Sequence, residues 1–525
     1  MSQLRISLTL SGAVSLGAYE GGALAALLYA VREIAAGDDP PLRIDVISGA
    51  SAGSITALLA ARALLQGHDP CAVLSGAWVQ GDSLGDLLGH GTKAPLSIEK
   101  MRELGTTLLD PAHDQGSPHR QTTAIQLSYT LACLRGFEYQ LPRLGREPIQ
   151  ACAFIDFYNH LLTPDAPVAS LTAPEGDCPL DAVLASGANE MGFPPHLLNR
   201  AAQWPVYQQQ GIDNLPPGSD HAFWFTDGGT LDNEPLGRTF GLTNGIDADD
   251  TSSQRLHLLI HPHPTAAVHD QSWADPQVQP TFAQTAVRGL TLQRTQSLYA
   301  DLKQAEKTNS HIAWIDLLGA KLGAALDQLP ADGQREVIGA LTEALTAMAD
   351  QAQDLRAQHS GPPRDNTQAA DQGPAAPASA GELLSRALHT ASGLAGKQPA
   401  RIDVISPLLL PESRTHNIDQ ILSGEILFHF GGFLDEPMRQ NDFDLGYRST
   451  LMWLDGGLHD AGLPADLASR ALDAAKGAYE PGQGWERTGQ TTAGSLLAMH
   501  PWQAARLTGR ITHVLLHDLL HHPRP

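Results

Sequence analysis

The sequence predicts a parallel α/β layer fold, and three stretches near its start carry that prediction. LRISLTL (4–10) alternates Ile6, Leu8 and Leu10 with Arg5, Ser7 and Thr9, the period-two pattern of a strand with two unlike faces. A small-residue loop, SGAVSLG (11–17), leads into AYEGGALAALLYAVREIAAG (18–37), whose dense apolar content reads as a well-buried helix. RIDVIS (43–48) is a second strand, followed at once by GASAG and another helical run to Leu65. Strand–loop–helix, twice over, is the opening of a sheet with parallel strands and helices on its faces.

The later elements follow in order. Residues 70–145 read as mixed and mostly helical, with a helix over 95–110 capped from Ser97. EPIQACAFIDFYN (147–159) reads as a strand, and 179–198 as a helix that stops before Pro194-Pro195. DHAFWFTDGGTLDNEPL (220–236) is an aromatic strand ending in a turn. RLHLLIHPHP (255–264) is a strand ended by prolines. Residues 279–356 are helical, and Ile338, Leu341, Leu345, Met348 and Leu355 form a stripe expected to pack in the core. Residues 351–382, rich in Gln, Ala, Pro and Gly, read as a flexible linker. RIDVISPLLL (401–410) is one more strand, expected to return to the first sheet. The expected organisation is a catalytic core over 1–264, a helical insertion over 265–399, a return to the sheet over 400–460 and helical segments over 461–525.

Composition narrows the function. The chain has 525 residues, 42% of them hydrophobic, and a formal net charge of −23. Phosphate contacts need clustered Lys and Arg, so no nucleic-acid partner is expected. The same charge argues against electrostatic docking on anionic lipid, leaving apolar contact or a local basic patch. Cys71, Cys133, Cys152 and Cys178 show no CxxC or metal-ligand spacing and read as reduced, buried small side chains. No metal or cofactor is expected. The start, MSQLRISLTL, lacks the apolar region of a signal peptide, and no run of 18 apolar residues is seen. No transmembrane helix is therefore expected, and the expected location is the cytoplasm, with peripheral membrane contact or export without a cleaved signal left open.

The chemistry concentrates in G-A-S-A-G, residues 49–53, set between strand and helix. This is the nucleophile-elbow pattern. The sharp turn demands small neighbours, here Gly49 and Gly53, and the helix that follows aims its free amides, Ala52 among them, at a developing oxyanion. Ser51 is thus the candidate nucleophile. Ser48 lies on the strand, and Ser54 falls one turn into the helix as a hydrogen-bonding residue. A serine hydroxyl needs a base. Asp227 ends the aromatic strand, and Gly228 and Gly229 turn the chain tightly after it. Asp455, also before two glycines, reads as a helix stop. The loop after the first strand presents further amides, and Gly12, Ala13 and Val14 are the oxyanion candidates, with Gly17 at the helix start.

Together these motifs resemble the patatin-like phospholipases: a small-residue loop, G-x-S-x-G within the first sixty residues, then D-G-G far downstream. ASGANEMGFPP (185–195) resembles a segment that family carries between its two catalytic motifs, and FGGFLDEPMRQNDFDLGYR resembles one in its long bacterial members. The resemblance spans roughly residues 4–236. It implies a three-layer α/β/α fold with a mostly parallel central sheet, plus the helical insertion and helical C-terminal segment. It also implies a Ser51–Asp227 dyad without a catalytic histidine, and hydrolysis of lipid acyl esters; transient membrane-surface contact is left open. One departure stands out. The family loop often reads D-G-G-G-x-R/K-G; here it is Ser11-Gly12-Ala13-Val14-Ser15-Leu16-Gly17. Ala and Val resist positive φ, so negative φ is expected at Ala13 and Val14.

Histidine provides the competing readings. His261 and His263 follow Asp227 as the histidine of an α/β-hydrolase triad would, but the elbow comes too early in the chain for that fold. His513, His517 and His521 share a helical spacing that suits a metal or a solvated helix end. Other readings of the whole chain are an acyltransferase or thioesterase with the same dyad, and a catalytically weak interaction or membrane-surface protein.

Overall fold

The computed structural model describes residues 3–35, 40–81, 83, 87–88, 94–110, 117, 119–143, 146–173, 177–190, 192–209, 221–247, 253–263, 277, 279, 281–358, 380–394, 397, 399–416, 418–425, 429–482 and 501–521. In chain order the main elements are β1 (Leu4–Leu10), α1 (Gly17–Ile34), β2 (Leu42–Gly49), α2 (Ala52–Gln66), α3 (Glu99–Leu109), β3 (Ile125–Arg143), β4 (Arg146–Leu162) and α4 (Pro179–Ser186). Then come β5 (His196–Asn199), β6 (Ala222–Asp227), α5 (Leu236–Asp247), β7 (Gln254–Ile260), α6 (Phe282–Leu326), α7 (Ala331–Gln358) and α8 (Ala380–Ala391). The chain closes with β8 (Ile402–Ile405), α9 (Glu436–Leu454), α10 (Ala465–Ala478) and α11 (Pro501–His521).

One mixed sheet runs β5-β6-β3-β2-β1-β7-β8, with β4 paired to β3. β1 pairs in parallel with β2 and β7, β2 with β3, and β7 with β8. The antiparallel pairs gather at the other end: β3 with β4, β3 with β6, and β5 with β6. Helices flank both faces, in keeping with a three-layer α/β/α fold.

The alternation read in the first strand explains the layering. Ile6, Leu8 and Leu10 are fully buried, and Leu10 meets the start of α2. The polar face is buried too, because α5 and β7 answer it group by group. Thr9 Oγ1 meets Thr239 Oγ1 at 2.7 Å, Ser7 Oγ meets His257 Nδ1 at 2.7 Å, and Arg5 pairs with Asp247 at 3.1 Å. Polar side chains inside a core need such partners.

α1 is long and apolar because it is covered on more than one side. With the turn before it, Val14–Ile34 has the length and hydropathy of a membrane span, but 89% of its most apolar window is buried inside the protein. It packs against α9 and α10 as well as α2. A Cβ on Gly22 would overlap the Phe443 carbonyl, and one on Gly446 would overlap that of Tyr19, so the α1–α9 crossing needs both glycines.

Five expectations are corrected. Of the cysteines, all expected to be buried, Cys152 is exposed and Cys71 half-buried. Residues 125–143 are not helical: Ile125, Leu127, Tyr129, Leu131 and Cys133 all point into the core, and this period of two builds the long strand β3. The predicted helix over 179–198 ends at Ser186, where Gly187 caps it, and His196–Asn199 is a strand paired with β6. On α7, Ile338, Leu341, Leu345 and Met348 are only half-buried and lie outside the core clusters. Of the linker read over 351–382, residues 351–358 complete α7 and 380–382 begin α8; the remainder lies outside the described residues.

Candidate active site

The site forms where two strands meet head to head. β4 runs along one edge of β3. The other edge is shared: Gln126–Tyr129 pair with Val46–Gly49 of β2, and Leu131–Cys133 pair with Asp227–Phe225 of β6, running the opposite way. The carboxyl ends of β2 and β6 therefore face each other across Thr130. Gly228 fills the gap, with no room for a side chain against the Thr130 backbone. Because β6 is antiparallel to β3, the two strand ends do not line one edge of a parallel sheet.

Ser51 sits at the tip of the β2–α2 turn with φ +50° and ψ −122°, a conformation non-glycine residues rarely adopt. The turn is packed to backbone contact. A Cβ on Gly49 would lie 2.6 Å from the Gly53 carbonyl, and one on Gly53 would lie 2.7 Å from the carbonyls of Leu10 and Ser11. The Ser51 amide donates to Ser186 Oγ at 3.0 Å, and Ser186 Oγ lies 2.8 Å from Ser54 Oγ. Ser54 therefore braces the turn, while Ser48 is fully buried on the strand.

Ser51 Oγ donates to Asp227 Oδ2 at 3.0 Å, across 176 residues of sequence. Asp227 is fully buried and held from several sides: the Gly229 amide donates to Oδ1 at 2.8 Å and Asn189 Nδ2 to Oδ2 at 3.1 Å. Its own amide donates to the Ala188 carbonyl at 3.0 Å. A carboxylate fixed this way presents one oxygen to the serine in a set orientation. Among the described residues no histidine takes that position. His261 is buried, its imidazole pushed down to about 3 by burial and then by His263, and it faces Glu234 at 3.9 Å. His263 stacks edge-on with His429, and His513 and His517 lie on α11. Among the described residues no three His, Cys, Asp or Glu side chains converge as metal ligands would.

The loop after β1 departs from expectation twice. Val14 has φ +52°, in the left-handed region, while Ala13 has φ −136°. The negative φ expected at Val14 is therefore wrong. Packing overrides the preference: Val14 lies in an apolar cluster with Phe193, Phe433, Leu434 and Met438. Next to it, the Ser15 amide donates to the His429 carbonyl at 3.0 Å and the Gly432 amide to Ser15 Oγ at 3.1 Å. The second departure is Gly12, whose amide donates to the Asn233 carbonyl at 2.9 Å and so is not free for an oxyanion. Among the described residues, the amides of Ala13, Val14 and Ala52 make no hydrogen bond. Gly17 is required where α1 begins, since a Cβ there would strike the Trp78 ring at 2.5 Å.

Sequence reasoning missed Ser186, Asn189 and Asn233. The first two lie in ASGANEM, a segment noticed as a motif; a serine at a helix end with an asparagine three residues on was the only available signal for their roles. Asn233 carried none beyond its place six residues after Asp227.

The arrangement is that of an α/β protein with a serine on a strained elbow and a buried carboxylate against it. Residues 8–125 match the family model of the patatin-like phospholipases. That part of the chain, which holds Ser51 and the loop 11–17, is patatin-like, and the family is one of lipid acyl hydrolases. Asp227 lies beyond the matched residues. No curated protein matches the chain.

Proposed function

We propose that the protein is a serine lipid acyl hydrolase working through Ser51 and Asp227. The observation that carries this reading is the 3.0 Å hydrogen bond from Ser51 Oγ to Asp227 Oδ2. Ser51 Oγ attacks the acyl carbonyl carbon as its proton passes to Asp227. The carbonyl oxygen takes the negative charge and is met by the amides of Ala13, Val14 and Ala52, which no acceptor among the described residues occupies. When the tetrahedral intermediate collapses, the leaving alkoxide takes the proton from Asp227, and an acyl-enzyme remains on Ser51. Water then attacks, giving its proton to Asp227. The second collapse returns that proton to Ser51 and releases the fatty acid.

A small apolar recess beside the elbow suits the lipid reading. Ile55, one helical turn beyond Ser51, is on its wall with Leu58, Leu59, Trp78, Leu104 and Leu184. It lies between α2, α3 and α4, and α2 and α4 are the helices whose ends form the elbow. Hydrocarbon placed there loses contact with water, worth roughly 0.8 kcal/mol per methylene.

The test is hydrolysis of p-nitrophenyl acyl esters and of phosphatidylcholine vesicles by the full chain, S51A and D227N. Both variants should lose at least about 10³-fold in kcat, as when members of a catalytic unit are removed. Undiminished turnover by S51A defeats the proposal.

A further inference from the structure

We infer that Asn233 is a positioning residue that sets the spacing between the oxyanion loop and the Ser51–Asp227 pair. The inference rests on the acyl-hydrolase reading above.

Asn233 holds the loop and the acid turn at once. Its main-chain carbonyl accepts from the Gly12 amide at 2.9 Å and its side-chain Nδ2 donates to the Gly12 carbonyl at 3.1 Å, so the loop is gripped by a pair of opposed bonds. The other Nδ2 hydrogen goes to Glu234 Oε1 at 2.6 Å. Two acceptors on Nδ2 fix which way the amide points. Its Oδ1 is then wedged between two glycines. A Cβ on Gly12 would overlap this oxygen and also come within 3.2 Å of Ser51 Cβ. A Cβ on Gly229 would lie 2.5 Å from the same oxygen and 3.1 Å from Asp227 Oδ1. The amide group of Asn233 thus lies between the loop that carries Ala13 and Val14 and the turn whose Gly229 amide holds the acid.

The support behind it is buried. Asn233 is 7% exposed and Glu234 3%. Further back, Glu20 is fully buried on α1, with its carboxyl pushed well above the usual range by burial and by Glu234, while a Ser11 hydrogen bond opposes the shift. Ser11 and Gly12, the two residues just before the first oxyanion donor Ala13, are therefore tied into one buried network. Nothing in this network touches the reacting atoms. Its effect is geometric: only Ala13 separates Gly12 from Val14, so a displaced Gly12 carries the donor amides with it.

The consequence is specific. Losing the side-chain half of the clamp, the Nδ2 bond and the Oδ1 wedge, should lower kcat while leaving KM nearly unchanged, because the donors act on the charge that develops in the transition state. A displacement of about 1 Å is expected to cost ~10²-fold. The experiment compares N233A, N233S, G12A, the double variant G12A/N233A and S51A in the full chain, using p-nitrophenyl butyrate and inactivation by a fluorophosphonate. Thermal midpoints identify the folded variants, and N233S, whose hydroxyl refills part of the site, serves if N233A does not fold. The expected result is a kcat down about 30- to 100-fold in N233A or N233S, KM within about threefold, and a fluorophosphonate rate that falls in parallel, since that reagent's oxygen uses the same donors. G12A/N233A should resemble N233A alone, because both changes break one contact. A folded Asn233 variant with wild-type kcat, or a loss confined to KM, overturns the inference while the Ser51 reading stands. Activity retained by S51A overturns the reading itself.

Discussion

Gly228→Ala is expected to separate the serine from its acid without touching either. Gly228 occupies the gap between the facing ends of β2 and β6. A Cβ there would lie 2.1 Å from the Thr130 carbonyl oxygen, against the 3.4 Å at which ordinary contact begins. The obstacle is backbone in the middle of β3, paired on its other edge with Phe157 of β4, so it cannot swing away as a side-chain tip would. The residue that yields is Gly228, and Asp227 goes with it by about 1 Å. The Ser51–Asp227 hydrogen bond, 3.0 Å in the native chain, then lengthens to about 4 Å, beyond the 2.6–3.2 Å over which a base takes a proton directly. A shift of that size predicts a kcat lower by ~10²-fold. Overpacking of this kind also costs roughly 1–3 kcal/mol of stability, which a urea titration measures independently. Gly477→Ala is the matched control. It lies in α10 with no heavy atom within 4 Å of a new Cβ, so kcat should not change and stability should rise by about 0.5–1 kcal/mol. If G228A folds and turns over p-nitrophenyl butyrate at the wild-type kcat, the head-to-head gap does not set the dyad distance and the reasoning fails.

Two further outcomes follow from strain and charge. At Val14 the usual order of substitutions should invert: Ala normally exceeds Gly by about 0.5–1 kcal/mol, but at φ +52° V14G should be more stable than V14A by about 1 kcal/mol, read from urea midpoints. Asp232, half-buried, has its carboxyl raised to about 7, first by burial and then by the charge of Asp301, with Arg238 opposing. The folded chain therefore holds this proton more tightly than the unfolded one. The stabilisation is complete below about pH 4 and is lost as pH rises through 7. D232N should remove this dependence and be more stable than wild type at pH 8 by about 1–2 kcal/mol, discounted for the side chain's contact with solvent. Equal stability of the two chains at pH 8 contradicts this account.

Much of the fold was legible because its signals are local. The first two strand–helix units could be read from period-two and dense apolar patterns, and Gly49 and Gly53 marked a turn that must be small on both sides of Ser51. Where the reading failed, distant packing had overridden local preference. Val14 is driven to positive φ by Phe433, Leu434 and Met438, some four hundred residues away in sequence. The alternation of 125–133 was missed beside helix-forming residues, although it is plain once Ile125, Leu127, Tyr129 and Leu131 are seen buried on one face.

By itself the sequence determined which residues are suited to the chemistry: a serine on a tight elbow, an aspartate before two glycines and a short loop of amides. It did so because turn geometry and residue type are properties of a few neighbours. Only the tertiary structure decided that Ser51 and Asp227 meet, that the Gly12 amide is already engaged, and that Asn233 links the loop to the acid. Each of these depends on β3 running past the end of β2 so that β6 can pair beyond it in the opposite direction. That arrangement is set by hydrogen bonds between strands far apart in the chain, and no short window of residues encodes it.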